Sequence, residues 1–195
     1  FYVGTPSPEL MKVVSSANEA KLAENIINAN NNIFSSKEVD EMINKLEQKL
    51  EKNEDNLNGW ILLARSYFDK KNYKKSIYAY EKALYLSPNQ PDLMADLADA
   101  TTMDNNGIVT PEIKSLLENA LEIDPNHNKS LALLATFSMK ENEINKAIFY
   151  WSKLKESVAE NSFDLEKIEQ IVNTLKADLK ENSSNQPNLK QKRTI

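Results

Sequence analysis

The chain has 195 residues, of which 24 are lysine or arginine and 29 are aspartate or glutamate, giving a net charge of −5. This acidic balance argues against non-specific nucleic-acid binding, which needs a basic surface. The absence of cysteine excludes disulfide bonds, thiolate metal sites and thiol nucleophiles. With 41% hydrophobic residues and almost no strand-like alternation, the sequence predicts an all-α globular protein.

The first 35 residues are predicted to form a linker, because proline, serine, glycine and threonine are frequent near their start. Residues 17–30 carry an apolar face that a short helix would bury. The opening Phe1-Tyr2-Val3 has two interpretations. It is a processed or arbitrary chain end, or it is the last turn of a membrane helix with aromatic residues at the interface. Composition alone favours a processed or arbitrary end.

A helix is predicted over residues 37–52, where apolar residues recur along one face. The members of that stripe are Val39, Met42, Ile43, Leu46 and Leu50. The polar run at residues 53–56 ends the helix. We expect the apolar stripe to pack on the first helix of the segment that follows.

Residues 57–90 organise the rest of the chain. Large and small residues recur at helical spacing on either side of a polar turn at 71–72, with helices predicted near 58–70 and 73–86. The recurring residues are Trp60, Leu63, Ala64, Tyr67, Ser76, Tyr80 and Ala83. Pro88 then stops the second helix, because proline lacks the N–H and its ring clashes with the preceding turn. This order of residues is the tetratricopeptide pattern, a helix–turn–helix unit of about 34 residues.

Two further repeats follow with the same pattern. In the second, Met94, Leu97, Ala98 and Thr101 hold the places of the first helix, and Ile113, Leu117 and Ala120 those of the second. A longer turn at 104–107 adds about three residues to this repeat. The third repeat places Leu131, Leu134, Ala135, Ser138, Ala147, Trp151 and Leu154 at the packing positions. Trp151 is predicted to lie in the core.

A last helix is predicted over residues 163–179, with its apolar face covering the end of the array. A disordered tail is predicted from residue 182 to 195, where asparagine, serine, glutamine and lysine dominate. The expected architecture is therefore an all-α tetratricopeptide-repeat superhelix. It has three helix–turn–helix repeats between flanking N-terminal and C-terminal capping helices, and it occupies residues 36–181.

Stacked helical hairpins form a superhelix whose first helices line a concave groove. An apolar floor beside an acidic row suits an amphipathic helix with basic flanks. The predicted peptide-binding residues are Ile61, Leu62, Arg65, Phe68, Asp92, Asp96, Asp99, Leu133, Thr136 and Met139. The same geometry also turns Ala95 and Thr102 toward the groove.

The groove interpretation has alternatives. Each apolar residue is equally well explained by packing against the N-terminal segment or the capping helix. Helical periodicity cannot distinguish a face that binds a peptide from a face that packs inside the protein. For the acidic row at 92, 96 and 99, a plain solvated face is favoured over a binding determinant.

Catalytic chemistry finds little support in the sequence. His127 is the single histidine and is interpreted as a surface residue of the turn at 125–128. With 3 glycines in the chain there is no glycine-rich phosphate loop. No metal site or cofactor is predicted, and the domain is not expected to be an enzyme.

Four stretches carry a family resemblance that goes beyond generic repeats. They read GWILLARSY at 59–67, PDLMADLADA at 91–100, LLENALEIDPNH at 116–127 and AIFYWSKL at 147–154. Together they resemble the periplasmic tetratricopeptide domain of the c-type cytochrome biogenesis protein CcmI, also called CycH, and its relative NrfG. The resemblance covers about residues 40–160, and FYVGTP at 1–6 looks like the end of the membrane helix of that family.

The resemblance implies a non-catalytic chaperone subunit of the haem lyase complex. Such a domain holds the C-terminal helix of apocytochrome c, works with other haem lyase subunits, and lies on the periplasmic side of the bacterial inner membrane. It has no nucleic-acid partner and meets the membrane only through an upstream helix. The alternative is a general tetratricopeptide scaffold for protein–protein interaction in the cell envelope.

Overall fold

The computed structural model of the protein describes residues 36–158 and 163–184, which form eight α-helices in chain order. They are α1 (Ser36–Lys52), α2 (Leu57–Asp69), α3 (Tyr73–Leu86), α4 (Pro91–Asp104), α5 (Pro111–Ile123), α6 (Asn128–Lys140), α7 (Ile144–Ser157) and α8 (Phe163–Ser184). The predicted all-α class and the three helical hairpins are confirmed. The predicted linker at 1–35, its helix at 17–30 and the tail at 185–195 lie outside the described residues.

Bounds were predicted for four helices, and those of α1, α2 and α3 agree with the structure to within one residue. The exception is α8, which continues to Ser184. Residues 182–184, assigned to the predicted tail, belong to this helix. The division into linker, repeat domain and tail otherwise stays a prediction.

The chain divides into two compact units, Phe1–Pro88 and Asn89–Ile195. In the first unit, α1 packs on α2 and α2 on α3. Gly59 allows the close approach of α1, because a Cβ atom there would lie 2.6 Å from Cδ2 of Leu50. The buried Ser76 hydroxyl donates a hydrogen bond of 2.8 Å to the carbonyl of Ala64, which holds α3 on α2. The predicted packing residues of the first repeat are all buried.

In the second unit, α4 to α8 build two neighbouring apolar clusters. One joins α4, α5 and α6 through Ala95, Ala98, Ile113, Leu117, Leu134 and Phe137. The other joins α6, α7 and α8 through Leu131, Leu154, Ile168 and Val172. The helix predicted to cap the array therefore packs on the third hairpin within this unit. The predicted superhelical stacking of all three hairpins concerns both units together and stays a prediction.

The residues of the second repeat occupy partly different places from those predicted. Ala95 and Thr102, assigned to the groove, are buried, and the Thr102 hydroxyl donates 2.8 Å to the carbonyl of Ala98. Met94 and Leu97, assigned to the core, are only half-buried. Ala98, by contrast, is buried at the place equivalent to Ala64, so the two helices agree at that position.

All three hairpins turn in the same way after their first helix. The backbone is left-handed at Lys71, Asn106 and Asn142, with φ of 58°, 55° and 60°. In each turn an amide donates 2.8 Å back to a carbonyl in the last turn of the helix, as in Asn72 to Tyr67. The second hairpin adds Gly107 at φ 82°, which accommodates the predicted longer loop.

Replacing Lys71 with glycine is expected to raise the free energy of unfolding by about 0.5–1 kcal/mol, since glycine adopts positive φ without a Cβ penalty. The matched control is Lys45→Gly, an exposed position inside α1. There the same change should lower stability by about 1 kcal/mol. Urea unfolding of the two variants measures both effects, and a loss of stability in Lys71→Gly would contradict the strain at this turn.

Candidate peptide-binding surfaces

The predicted binding residues of the first unit lie together on α2. Ile61, Leu62 and Phe68 are half-buried, and Arg65 is exposed. Phe68 packs edge-to-face against Tyr73, with ring centroids 5.5 Å apart. These apolar side chains are therefore partly accessible within this unit, as a binding surface requires, and partly used for packing.

The predicted acidic row of α4 is paired inside the second unit. Nζ of Lys129 lies 2.6 Å from Oδ1 of Asp96 and 3.1 Å from Oδ2 of Asp99. Partial burial lowers the pKa of Lys129, but the hydrogen bonds and charges of the two carboxylates outweigh it and hold the pKa above its usual value. Asp92 also has a partner, because Nε2 of His127 lies 3.1 Å from its Oδ1. The row therefore offers a basic peptide less free charge than the sequence suggests.

His127 has a structural role that the sequence did not reveal. Its side chain is only 11% exposed, so the interpretation as a surface turn residue is wrong. It is the N-cap of α6, where Nδ1 accepts a hydrogen bond from the backbone N–H of Ser130 at 3.3 Å. Because Nδ1 is an acceptor, the ring proton is on Nε2, and this N–H donates a hydrogen bond to Oδ1 of Asp92. The ring thus connects the start of α6 to α4.

The remaining predicted residues lie on α6. Leu133 is half-buried and packs against the cluster that joins α4, α5 and α6. Thr136 is exposed and donates 2.8 Å to the carbonyl of Ala132 in its own helix. Met139 is 40% exposed, and its sulfur accepts a hydrogen bond of 3.2 Å from Nε1 of Trp151. Leu133 thus serves the core as well as the surface, whereas Met139 presents an accessible apolar side chain.

A pocket of about 440 Å³ opens between α6, α7 and α8. Its apolar lining is Ala132, Trp151, Leu154, Val158, Ile168 and Ile171. Asn128, Lys129, Asp164 and Lys167 supply polar groups to the same pocket. Trp151, predicted to lie in the core, is instead half-exposed and forms part of this wall. The sequence showed an apolar face on α8 but not that a hollow remains where it meets the third hairpin.

Within residues 36–158 and 163–184, no three histidine, aspartate or glutamate side chains come together as a metal site would require. None of the helices there combines the length and apolar character needed to cross a bilayer.

The sequence of the chain is similar to that of known proteins. A family model described as the cytochrome c-type biogenesis protein H TPR domain matches residues 11–165. The chain is 30% identical over 116 residues to the cytochrome c-type biogenesis protein CycH of Pseudomonas aeruginosa, which covers 60% of the chain and 28% of that protein. It is 29% identical over 116 residues to the formate-dependent nitrite reductase complex bifunctional subunit NrfFG of Haemophilus influenzae, covering 60% and 30%. The chain thus spans less than a third of these two relatives.

Solved structures show the same fold. The chain matches the TPR2B domain in a pHsp70 complex of yeast Sti1 with a TM-score of 0.54 and 20% identity. The match covers 63% of this chain and 97% of that one. At this identity the likeness establishes the tetratricopeptide fold and carries no information about the ligand.

Proposed function

Because the chain belongs to the family of the cytochrome c-type biogenesis protein H TPR domain, we propose that it is the apocytochrome-binding module of a haem lyase complex. The domain is a non-catalytic tetratricopeptide domain of cytochrome c biogenesis. In the proposed role it holds the C-terminal helix of apocytochrome c while other haem lyase subunits attach the haem. It acts on the periplasmic side of the bacterial inner membrane.

The observation that carries the proposal is the pocket between α6, α7 and α8. Its volume of about 440 Å³ lies in the range of about 300–1,000 Å³ common for ligand pockets. Trp151, Ile168 and Ile171 give it an apolar wall, and charged residues stand beside that wall. An amphipathic helix binds to such a surface by inserting one or two large apolar side chains. The exposed side chain of Met139 extends the apolar surface along α6.

The carboxylates of the acidic row are paired within the second unit, so we expect apolar contacts to provide most of the affinity for the peptide. Lys129 forms ion pairs with Asp96 and Asp99, and His127 pairs with Asp92. Basic residues of a bound peptide would have to compete with these internal partners. Exposed ion pairs contribute little even when free, about 0–1 kcal/mol each. We therefore expect affinity to depend only weakly on ionic strength.

The proposal is tested with a synthetic peptide of an apocytochrome C-terminal helix, titrated by calorimetry beside a scrambled peptide. Ile171→Glu, which places a charge in the pocket wall, should weaken binding at least tenfold, or about 1.4 kcal/mol. The matched control is Thr174→Glu, which adds the same charge at an exposed position of α8 outside the pocket. It should bind as the unaltered protein does.

The outcomes separate the function from the site. If Ile171→Glu binds the peptide as tightly as the unaltered protein, this pocket is not the binding site. A loss of affinity in Phe68→Ala would then assign the site to α2. Binding no tighter than that of the scrambled peptide would overturn the apocytochrome role and favour the general tetratricopeptide scaffold.

A further inference from the structure

A second pocket lies in the first unit, on a surface that the proposed function does not use. Its volume is about 420 Å³, and it opens between the turn joining α1 to α2 and the outer side of α3. Glu54 and Asp55 line it from the turn, and Tyr78, Glu81, Lys82, Tyr85 and Leu86 line it from α3. We call it the acidic aromatic pocket.

Two tyrosines give this pocket an exposed aromatic surface. Tyr78 is 52% exposed and Tyr85 is 83% exposed. Trp60 holds the pocket in shape from below. Its Nε1 donates 2.8 Å to the carbonyl of Glu54, and its ring meets Tyr78 edge-to-face at 6.0 Å. The pocket is therefore preformed by buried structure.

One cation of the protein itself, the ammonium group of Lys82, lies in this pocket. Nζ of Lys82 lies 2.9 Å from the carboxylate of Glu54 and 5.7 Å from the centroid of the Tyr78 ring. The hydrogen bond to Glu54 raises the pKa of Lys82 above its usual value. A carboxylate and an aromatic face thus hold one ammonium group together, which is the arrangement that cation–π recognition uses.

The other two carboxylates of the pocket are not compensated. Neither Asp55 nor Glu81 has a hydrogen bond or an ion pair with any side chain in the described part of the chain. The pocket contains three carboxylates and one ammonium group, so its net charge is −2. This charge repels phosphate groups and attracts lysine or arginine. Arginine suits it best, because a guanidinium group stacks on tyrosine and pairs with carboxylates in the same pose.

We propose that the acidic aromatic pocket is a docking site for an arginine-bearing basic segment of a partner protein. The guanidinium group stacks on Tyr85 and pairs with Asp55 and Glu81, while Leu86 covers a neighbouring apolar side chain of the segment. This site does not depend on the apocytochrome role, because its residues belong to the other unit and to a different helix surface.

The test uses the full chain, labelled with ¹⁵N, and a blocked hexapeptide that contains two arginines and one leucine. A second hexapeptide replaces both arginines with citrulline, which keeps the shape and removes the charge. We expect amide shifts that concentrate at Asp55, Glu81 and Tyr85, and affinity at least tenfold higher for the arginine peptide. Equal binding of the citrulline peptide would overturn the proposal.

Variants at exposed positions separate a built site from general attraction. The double variant Asp55→Asn with Glu81→Gln should lose at least tenfold in affinity, and Tyr85→Ala should lose a similar factor. Tyr85→Phe should retain binding, because the aromatic face remains. The charge-matched control is Glu118→Gln with Glu122→Gln, which removes two exposed carboxylates of α5 outside the pocket. A loss of affinity in this control equal to that of the Asp55 and Glu81 double variant would overturn the proposal.

A competing occupant is the basic end of a second copy of this chain. Light scattering of the unaltered protein, compared with a variant in which Lys190, Lys192 and Arg193 are alanine, tests it. A doubled mass that this variant abolishes would overturn the proposal in favour of self-association. A monomer mass for both supports a foreign partner.

Discussion

Replacing Leu131 with alanine is expected to lower the free energy of unfolding by about 3–4 kcal/mol. The side chain is fully buried and packs with Leu154, Ile168 and Val172, so it joins α6, α7 and α8. Removing it loses the transfer free energy of its methyl groups and leaves a cavity where three helices meet. Urea unfolding, followed by circular dichroism and by the fluorescence of Trp60 and Trp151, measures the loss.

The matched control for Leu131→Ala is Leu133→Ala on the same helix. Leu133 is half-buried, so the same truncation should cost about 1 kcal/mol or less. Equal losses in the two variants would contradict the position of the core in the second unit. The comparison also bears on binding, because Leu133 is a predicted peptide contact. Lost affinity in Leu133→Ala without lost stability would assign it to the binding surface.

The repeat architecture was predictable because its signals are local. Large and small residues at helical spacing, polar turns and a proline at the end of the hairpin specify each unit within about 34 residues. Trp60, Tyr67, Ser76 and Ala83 were assigned to the core of the first repeat on this pattern alone, and all four are buried. The same reasoning predicted the longer turn of the second repeat, which contains Gly107.

The buried face of α4 was predictable only in part from the repeat pattern. Equivalence with the first repeat places Met94, Leu97 and Ala98 in the core, whereas the structure buries Ala95, Ala98 and Thr102. The large apolar residues of α4 lie on more than one side of the helix, so their spacing gives little indication of which face is inside. In the first repeat Trp60 removes that ambiguity, because only one face can bury so large a ring.

The candidate site was predictable only in part, because its electrostatics and its cavities are tertiary features. Lys129 is 33 residues from Asp96 in sequence, and no local spacing rule connects them. The pocket beside Trp151 exists because α8 meets the third hairpin without filling the space between them. Family resemblance identified the biological process, but it assigned no single residue to the groove.

Trp60→Ala is expected to have the largest effect in the first unit, lowering the free energy of unfolding by about 3–5 kcal/mol. The side chain is 2% exposed, so truncation leaves a large cavity beside the turn at Glu54 and Tyr78 of α3. It also removes the hydrogen bond of 2.8 Å to the carbonyl of Glu54 and the edge-to-face contact with Tyr78. Urea unfolding followed by circular dichroism measures the change.

Comparing Trp60→Phe with Trp60→Ala separates the contribution of packing to the free energy of unfolding from that of the hydrogen bond. Phenylalanine keeps most of the buried ring but cannot donate to Glu54, whose carbonyl can still reach water because the residue is exposed. We therefore expect Trp60→Phe to cost about 1–2 kcal/mol, well below the cost of Trp60→Ala. Equal costs would contradict packing as the main contribution and would make the anchored turn the source of stability. In that case Trp60→Phe should also abolish arginine-peptide binding, because the turn carries Glu54 and Asp55 to the acidic aromatic pocket.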